Sequence, residues 1–485
     1  MKIPTVLALT FVGMALTSLT VWIATAPRSA RVTLGPETPP SAAPDAPGPH
    51  FRVPGAVALE GRLGHRVLAA NEAATTYLYT EMTAATGKVA KTPAPLDLAI
   101  VIDRSGSMRG QRLQNAIDAA QGAVRRMRDG DRVSVVTYNT MVEDVVSPTT
   151  LDASTRDRIV EAIGTIVAAG DTCISCGLET GLVRLQGHTG MVRRMLLLSD
   201  GEATAGVRDE AGFKAIAARC REAGVSITSI GVDTQYNERV MAALALESNG
   251  RHYFVENASG LAAVFDKELS SLNKTLATDA ELVVTPGPGI TVERVYDRTH
   301  RVDGNQIVVP LGTFAEADMK TLLVALRVPA NRAGQIDVAR VELRYRDLTE
   351  NDQTHARGEL ALRLTDDPKE VSGLDVVVEN RVNRSKAGDA LEEANALYRA
   401  GKREEARQKL QAQLDEVKEA EARSAKAGGQ PQSAAKVDAD YERQRRALED
   451  ADDAFSKSSP TRAKPAAKPA TQVRANQDWA AESRL

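Results

Sequence analysis

Aromatic side chains make up only 4% of the 485 residues, and a formal net charge of −3 leaves no basic excess. A nucleic-acid binder needs stacking platforms and a basic face, so that class is excluded. Cysteine is scarcer still: Cys173, Cys176 and Cys220 are the whole complement, too few for a disulfide scaffold of this length. The histidines, among them His188, His252 and His300, are scattered without metal-ligand spacing. Sites built on imidazole, such as those for zinc or copper, are therefore not expected. What is present is 43% hydrophobic and 26% charged residues. That is material for a sizeable core, in a chain long enough for two to four domains.

Lys2 precedes an uncharged, mostly apolar run from Ile3 to Ala26. At helical rise this reaches roughly 36 Å, enough to cross a bilayer core. Ala24-Thr25-Ala26 has the small residues of a cleavage site, but Pro27 opposes cutting, and Trp22 stands where an interfacial aromatic belongs. Residues 1–26 therefore read as a membrane anchor or a signal segment. Either one exports the body to the cell envelope, membrane-anchored if uncleaved, secreted or periplasmic if cleaved.

Five prolines between Pro39 and Pro49 make 27–54 a Pro/Ala-rich linker. Residues 55–90 carry two strand patterns, Val57–Leu68 and Thr75–Met82, too little to fold alone. They are expected to complete a β-sandwich formed by short strands over 277–368. Between these parts, residues 91–276 alternate strand and helix. Leu96–Ile102 is an almost continuous apolar strand, followed by a helix over Arg112–Met127. Later come strands at Arg132–Tyr138, Met195–Leu198 and Val225–Val232, and helices at Thr155–Val167, Ile174–Leu185 and Arg208–Ala223. The fold class is α/β, a doubly wound, mostly parallel sheet, inserted into an antiparallel sandwich. Residues 380–456 form a helical region whose Ala394, Leu397, Tyr398, Gly401, Glu405, Ala406 and Leu410 resemble a tetratricopeptide hairpin; one hairpin cannot make a stable solenoid, so a helical segment packed on the body is the equal alternative. A polar tail, 457–485, reads as disordered.

One constellation carries chemistry. Asp103-Arg-Ser105-Gly-Ser107 follows the first α/β strand, Thr172 lies on a later loop, and Asp200 ends Leu-Leu-Leu-Ser-Asp. Two carboxylates and three hydroxyls suit a hard divalent cation, Mg2+ or Mn2+. The set contains no nucleophile–base pair, so the protein is not expected to be an enzyme. In this fold class, ligands bind beyond the carboxyl ends of strands, where Asp103 and Asp200 stand. If each segment is taken alone, Asp103 and Ser107 could merely cap the helix that follows.

Asp103-x-Ser105-x-Ser107, Thr172 and Asp200, in this order and context, resemble the metal-ion-dependent adhesion site of von Willebrand factor type A domains. The resemblance covers 96–273 and suits a bacterial, envelope-associated type. It implies that Ser105, Ser107 and Thr172 give hydroxyl oxygens, while Asp103 and Asp200 ligate directly or through waters. An open position would then take a Glu or Asp carboxylate from a protein or peptide partner. Many members have Asn after the threonine and a small residue three further on; here both are cysteine, Cys173 and Cys176. The pair reads as a candidate disulfide stiffening the Thr172 loop, as two free thiols, or as a redox motif. Three rival functions follow: an accessory subunit of a chelatase-like ATPase complex, a thiol oxidoreductase using Cys173 and Cys176, and a structural scaffold that uses the helical C-terminal region and carries a vestigial metal site. Cys220 shares a helical face with Phe213, Ile216 and Ala217 and reads as core.

Overall fold

The computed structural model describes residues 47–457 except 92, 188–189, 201, 233–236, 256–259 and 428–430, together with residue 476. The expectations for 1–26, for most of the linker and for nearly all of the tail lie outside the described residues.

The chain opens with β1 (His50–Val53), β2 (Val57–Leu63), β3 (Val67–Ala69) and β4 (Ala74–Ala84). Strand β1 falls inside the stretch expected to be linker. Phe51 and Val53 give it an apolar face, and it pairs antiparallel with β2. The strand expected over Val57–Leu68 is broken at Gly64, whose N–H donates to Tyr77 O at 2.7 Å. A Cβ at Gly64 would lie 2.6 Å from the tip of Leu374 and 3.3 Å from Tyr77 N, a tight spot that suits glycine where the chain crosses from one sheet to the other.

The α/β region follows: β5 (Leu96–Asp103), α1 (Gln111–Arg126), β6 (Arg132–Tyr138), β7 (Val142–Thr150), α2 (Ala153–Gly164), α3 (Ile174–Leu185), β8 (Val192–Ser199), α4 (Glu210–Glu222), β9 (Val225–Val232), α5 (Glu238–Glu247), β10 (His252–Val255) and α6 (Leu261–Asn273). The sheet order is β10-β9-β8-β5-β6-β7, parallel except for β7. Every residue of β5 is buried, as its almost continuous apolar run suits in a central parallel strand, and the buried Asp97 that interrupts the run pairs with Arg132 at 3.1 Å. Ile100, Ile102 and Leu198 pack with Ala116, Ala120 and Phe265 on one face. Val101, Met195 and Leu197 pack with Leu178, Leu182 and Phe213 on the other. This is the expected doubly wound arrangement. Helix α3 approaches the sheet closely because Gly177 and Gly181 face it. A Cβ at Gly177 would lie 2.5 Å from the Tyr138 ring. Helix α2 stops short of the expected Val167, where Thr165 donates its hydroxyl to Ala162 O at 2.8 Å and frees 166–171 as a loop.

After α6 come β11 (Thr275–Pro286), β12 (Thr291–Tyr296), β13 (Arg301–Asp303), β14 (Gln306–Ala315), β15 (Met319–Val328), β16 (Gly334–Asp347) and β17 (Asp352–Thr365). They build two sheets, β1-β2-β4-β15-β12 and β13-β14-β11-β16-β17-β3. Strand β4 pairs with β15 from Ala74–Val328 to Thr83–Met319, so the α/β region sits between two strands of one sandwich. The strands of these two sheets pair antiparallel except for the short β17–β3 pair, and an isolated bridge from Gly48 to Leu360 is also parallel, a departure from the purely antiparallel expectation.

Helices α7 (Val376–Arg399), α8 (Arg403–Ala427) and α9 (Pro431–Lys457) complete the chain. Helix α7 starts before residue 380 because Asp375 caps it, accepting from Val377 N and Val378 N. Of the two readings of this region, the structure has the helical segment packed on the body: the hairpin likened to a tetratricopeptide repeat is two-thirds of a three-helix bundle. Tyr441, Leu448 and Phe455 of α9 close over Leu391, Ala394, Ala406 and Leu410. The bundle docks on the five-stranded sheet through Val378 and Val382 against Tyr79, Tyr296 and Leu323. Beside that contact Arg381 Nη2 lies 3.1 Å from Asp297 Oδ2, with side chains only 6% and 4% exposed. Asp297→Ala would leave the Arg381 charge buried, so a loss of about 3–5 kcal/mol is expected. Denaturant unfolding measures it, and limited proteolysis should show earlier cleavage in α7–α9. A variant as stable as the parent would contradict this.

Candidate metal centre

Strands β5 and β8 are neighbours, with Ile102 opposite Leu198, so their parallel C-terminal ends bring Asp103 and Asp200 to one edge of the sheet. Both are buried. Asp103 Oδ1 accepts from Ser105 N at 2.8 Å, and Oδ2 accepts from Ser199 Oγ at 2.9 Å. The first bond folds the chain back over the strand end and aims the next hydroxyls at Asp200. Ser105 Oγ and Ser107 Oγ are 3.0 Å apart, and Ser107 Oγ donates to Asp200 Oδ1 at 2.7 Å. Three of the five expected residues thus share one chain of oxygens, and Asp103 braces it from beneath.

Thr172 arrives on the loop before α3. Its N–H donates to Thr204 Oγ1 at 2.9 Å, and its carbonyl accepts from Thr204 N and Ala205 N. The loop is fixed to the first segment by Gly106 N–H to Gly170 O, 3.0 Å, and Ala169 N–H to Arg104 O, 2.7 Å. Gly170 has φ +74°, a conformation glycine adopts without strain, and a Cβ there would meet Asn139 and Thr140. Thr172 therefore lies on a loop knitted both to the Ser105 turn and to the stretch after Asp200.

Cys173 and Cys176 are joined by a disulfide at the start of α3. Cys173 N–H donates to Asn139 O at 2.9 Å, and its sulfur is buried where a side chain on Gly206 would collide with it. The disulfide thus sits between the Thr172 loop and the loop after Asp200. Cys220 is buried in the core of α4, and burial pushes its thiol up to about 12.

Three contributors were not legible as site residues. Ser199, directly before Asp200, holds Asp103. Asn139, just past β6, donates to Ala169 O at 2.7 Å and accepts from Met141 N. Arg112, in the first turn of α1, donates to Ser107 O at 3.0 Å and to Asp200 Oδ2 at 3.2 Å. Position was the available signal: Ser199 ends β8, Asn139 follows β6, and Arg112 opens the helix after β5. Among the described residues, no group of three or more His, Cys, Asp or Glu could hold a metal ion. A cation here would rely on hydroxyls, and the all-oxygen donor set fits Mg2+ or Mn2+.

Burial pushes the Asp103 carboxyl up to about 6, against the opposing hydrogen bonds from Ser105 and Ser199, with the Asp200 charge adding to the rise. A raised carboxyl favours the folded state below the unfolded value of 3.8, and that stability is lost as pH climbs through 6. At pH 7.5 without metal, ionised Asp103 therefore costs about 1–3 kcal/mol. Asp103→Asn keeps the shape, with the amide able to donate to Ser199. In EDTA the variant is expected to melt above the parent at pH 7.5 and level with it at pH 4. Melting below the parent at pH 7.5 would contradict this.

The von Willebrand factor type A domain family model matches residues 97–267. An uncharacterized protein of Synechocystis is 27% identical over 272 residues, covering 52% of this chain and 62% of that protein. The uncharacterized protein YfbK of Escherichia coli is 28% identical over 224 residues, covering 45% and 38%. The chain thus spans less than two-thirds of the length of these relatives. Among solved structures, a von Willebrand factor type A protein from Catenulispora acidiphila superposes with TM-score 0.66 at 16% identity, covering 90% of this chain and 97% of that one. The ArnB paralog VWA2 from Sulfolobus acidocaldarius gives 0.55 at 16%, covering 81% and 98%. Coverage this broad shows that the fold of sandwich and helices recurs with the α/β region. Residues 97–267, the α/β insertion carrying Asp103 and Asp200, are a von Willebrand factor type A domain.

Proposed function

We propose that this chain is a non-enzymatic, metal-dependent protein-binding module of the cell envelope. Asp103, Ser105, Ser107, Thr172 and Asp200 would hold Mg2+ or Mn2+, and a Glu or Asp carboxylate of a protein or peptide partner would complete the coordination. The observation that carries this reading is the convergence of Ser105 Oγ, Ser107 Oγ and Asp200 Oδ1 in a continuous chain of contacts at 3.0 and 2.7 Å. Hydroxyl ligands are neutral, so a metal held largely by them stays electrophilic toward an incoming carboxylate.

Two further features favour a partner role. Met141 and Val167 are exposed apolar side chains on loops bonded to the site's own loops, through Asn139 and Arg104. The sandwich contacts the opposite end of the sheet: Arg251, just before β10, lies 3.0 Å from Asp318, and Asn249 donates to Pro310 O at 3.0 Å. The C-terminal strand ends therefore face away from the sandwich. Export rests on the apolar run Ile3–Ala26. Protease protection of the body in intact cells, lost on permeabilising the envelope, is the outcome expected of a periplasmic location.

Calorimetric titration of Mg2+ into metal-free protein is expected to show one site in the parent and none in Asp200→Ala. Thr172→Ala should weaken binding at least tenfold, with circular dichroism unchanged in both variants. Equal Mg2+ binding by parent and Asp200→Ala, or no binding by the parent, would overturn the metal assignment.

A further inference from the structure

Arg112 brings a fixed positive charge to the oxygen cluster. Its Nη1 donates to the Ser107 carbonyl and lies 3.2 Å from Asp200 Oδ2. The Asp200 side chain is fully buried, whereas that of Arg112 is 41% exposed, so the guanidinium spans from the buried carboxylate to the surface. Asp103 and Asp200 together balance a divalent cation and would leave a loaded site near neutrality. Arg112 adds one positive charge beside it.

Resting on the reading above, we propose that Arg112 is a specificity-determining residue for the partner carboxylate. The guanidinium pairs with one carboxylate oxygen while the other takes the open position on the metal. A guanidinium matches a carboxylate in geometry as well as charge, which an ammonium does not. The same residue weakens the metal, because it repels the cation and competes for Asp200 Oδ2. Arg112 therefore trades metal affinity for anion selectivity, and removing it moves the two in opposite directions. A residue that merely braced the Ser107 turn would weaken both when removed.

The test uses the full chain as parent, Arg112→Gln and Arg112→Lys. Calorimetry gives Mg2+ affinity. Saturation-transfer NMR at saturating Mg2+ gives the affinity of a blocked Ala-Gly-Glu-Gly-Ala peptide and of its glutamine twin. The parent should bind the glutamate peptide only with Mg2+ and bind the twin weakly or not at all. Arg112→Gln should bind Mg2+ roughly three- to tenfold tighter and the glutamate peptide roughly tenfold weaker. Arg112→Lys, keeping charge without the planar fork, should fall between for the peptide. Weaker binding of both by Arg112→Gln, or no change in either, would overturn the proposal, as would a parent that binds Mg2+ but not the glutamate peptide. A parent that binds no Mg2+ would overturn the underlying metal reading instead.

Discussion

Two carboxylates ending adjacent parallel strands cannot both stay ionised in a buried pocket unless positive charge or hydrogen-bond donors meet them. That constraint at Asp103 and Asp200 organises the molecule's upper edge. Ser199 and the Ser105 amide hold Asp103, while Ser107 and Arg112 hold Asp200. The Ser105 turn is tied to the Thr172 loop, and that loop to the stretch beyond Asp200. Burial still leaves the Asp103 carboxyl raised to about 6. The Ser105 and Ser199 donors thus offset the cost of burying Asp103 only in part.

Rigidity for this arrangement comes from beneath. Gly177 and Gly181 let α3 lie close on Tyr138, Val101 and Met195, fixing the helix whose start carries the Cys173–Cys176 disulfide. At the other end, a buried network ties the insertion to its host. Glu268 of α6 accepts from Thr228, Tyr253 and Arg251, and Arg251 reaches Asp318 at the start of the β14–β15 hairpin's return. Burial alone would raise Glu268; the Arg194 and Arg251 charges, with those hydrogen bonds, bring its carboxyl below the usual range. Because β4 and β11 both belong to the sandwich, the insertion is held at its entry and its exit. The site edge is left at the opposite end.

Much of this was legible in the sequence where local pattern and burial agree. The apolar run Leu96–Ile102 and the run leading to Asp200 could only be central strands, and a polar residue ending such a strand marks the ligand edge of this fold class. Legibility failed where long-range contacts decide. His50–Val53 becomes a strand only because β2 offers a partner. Gly64 breaks a uniform strand pattern because the chain must change sheets. The helical region suggested packing on the body, but not that α9 would close over the α7–α8 hairpin through Tyr441, Leu448 and Phe455. Arg112 and Ser199 read as ordinary helix and strand residues; their roles emerge only when the ends of β5 and β8 meet.

Anomalous diffraction from crystals grown with Mn2+ would test most directly whether the Asp103–Asp200 edge holds a cation. One peak is expected about 2.1–2.3 Å from Ser105 Oγ and Ser107 Oγ, with Thr172 and Asp200 around it, directly or through water. Occupied Mn2+ elsewhere with no density among these oxygens, or none bound at saturating concentration, would contradict this.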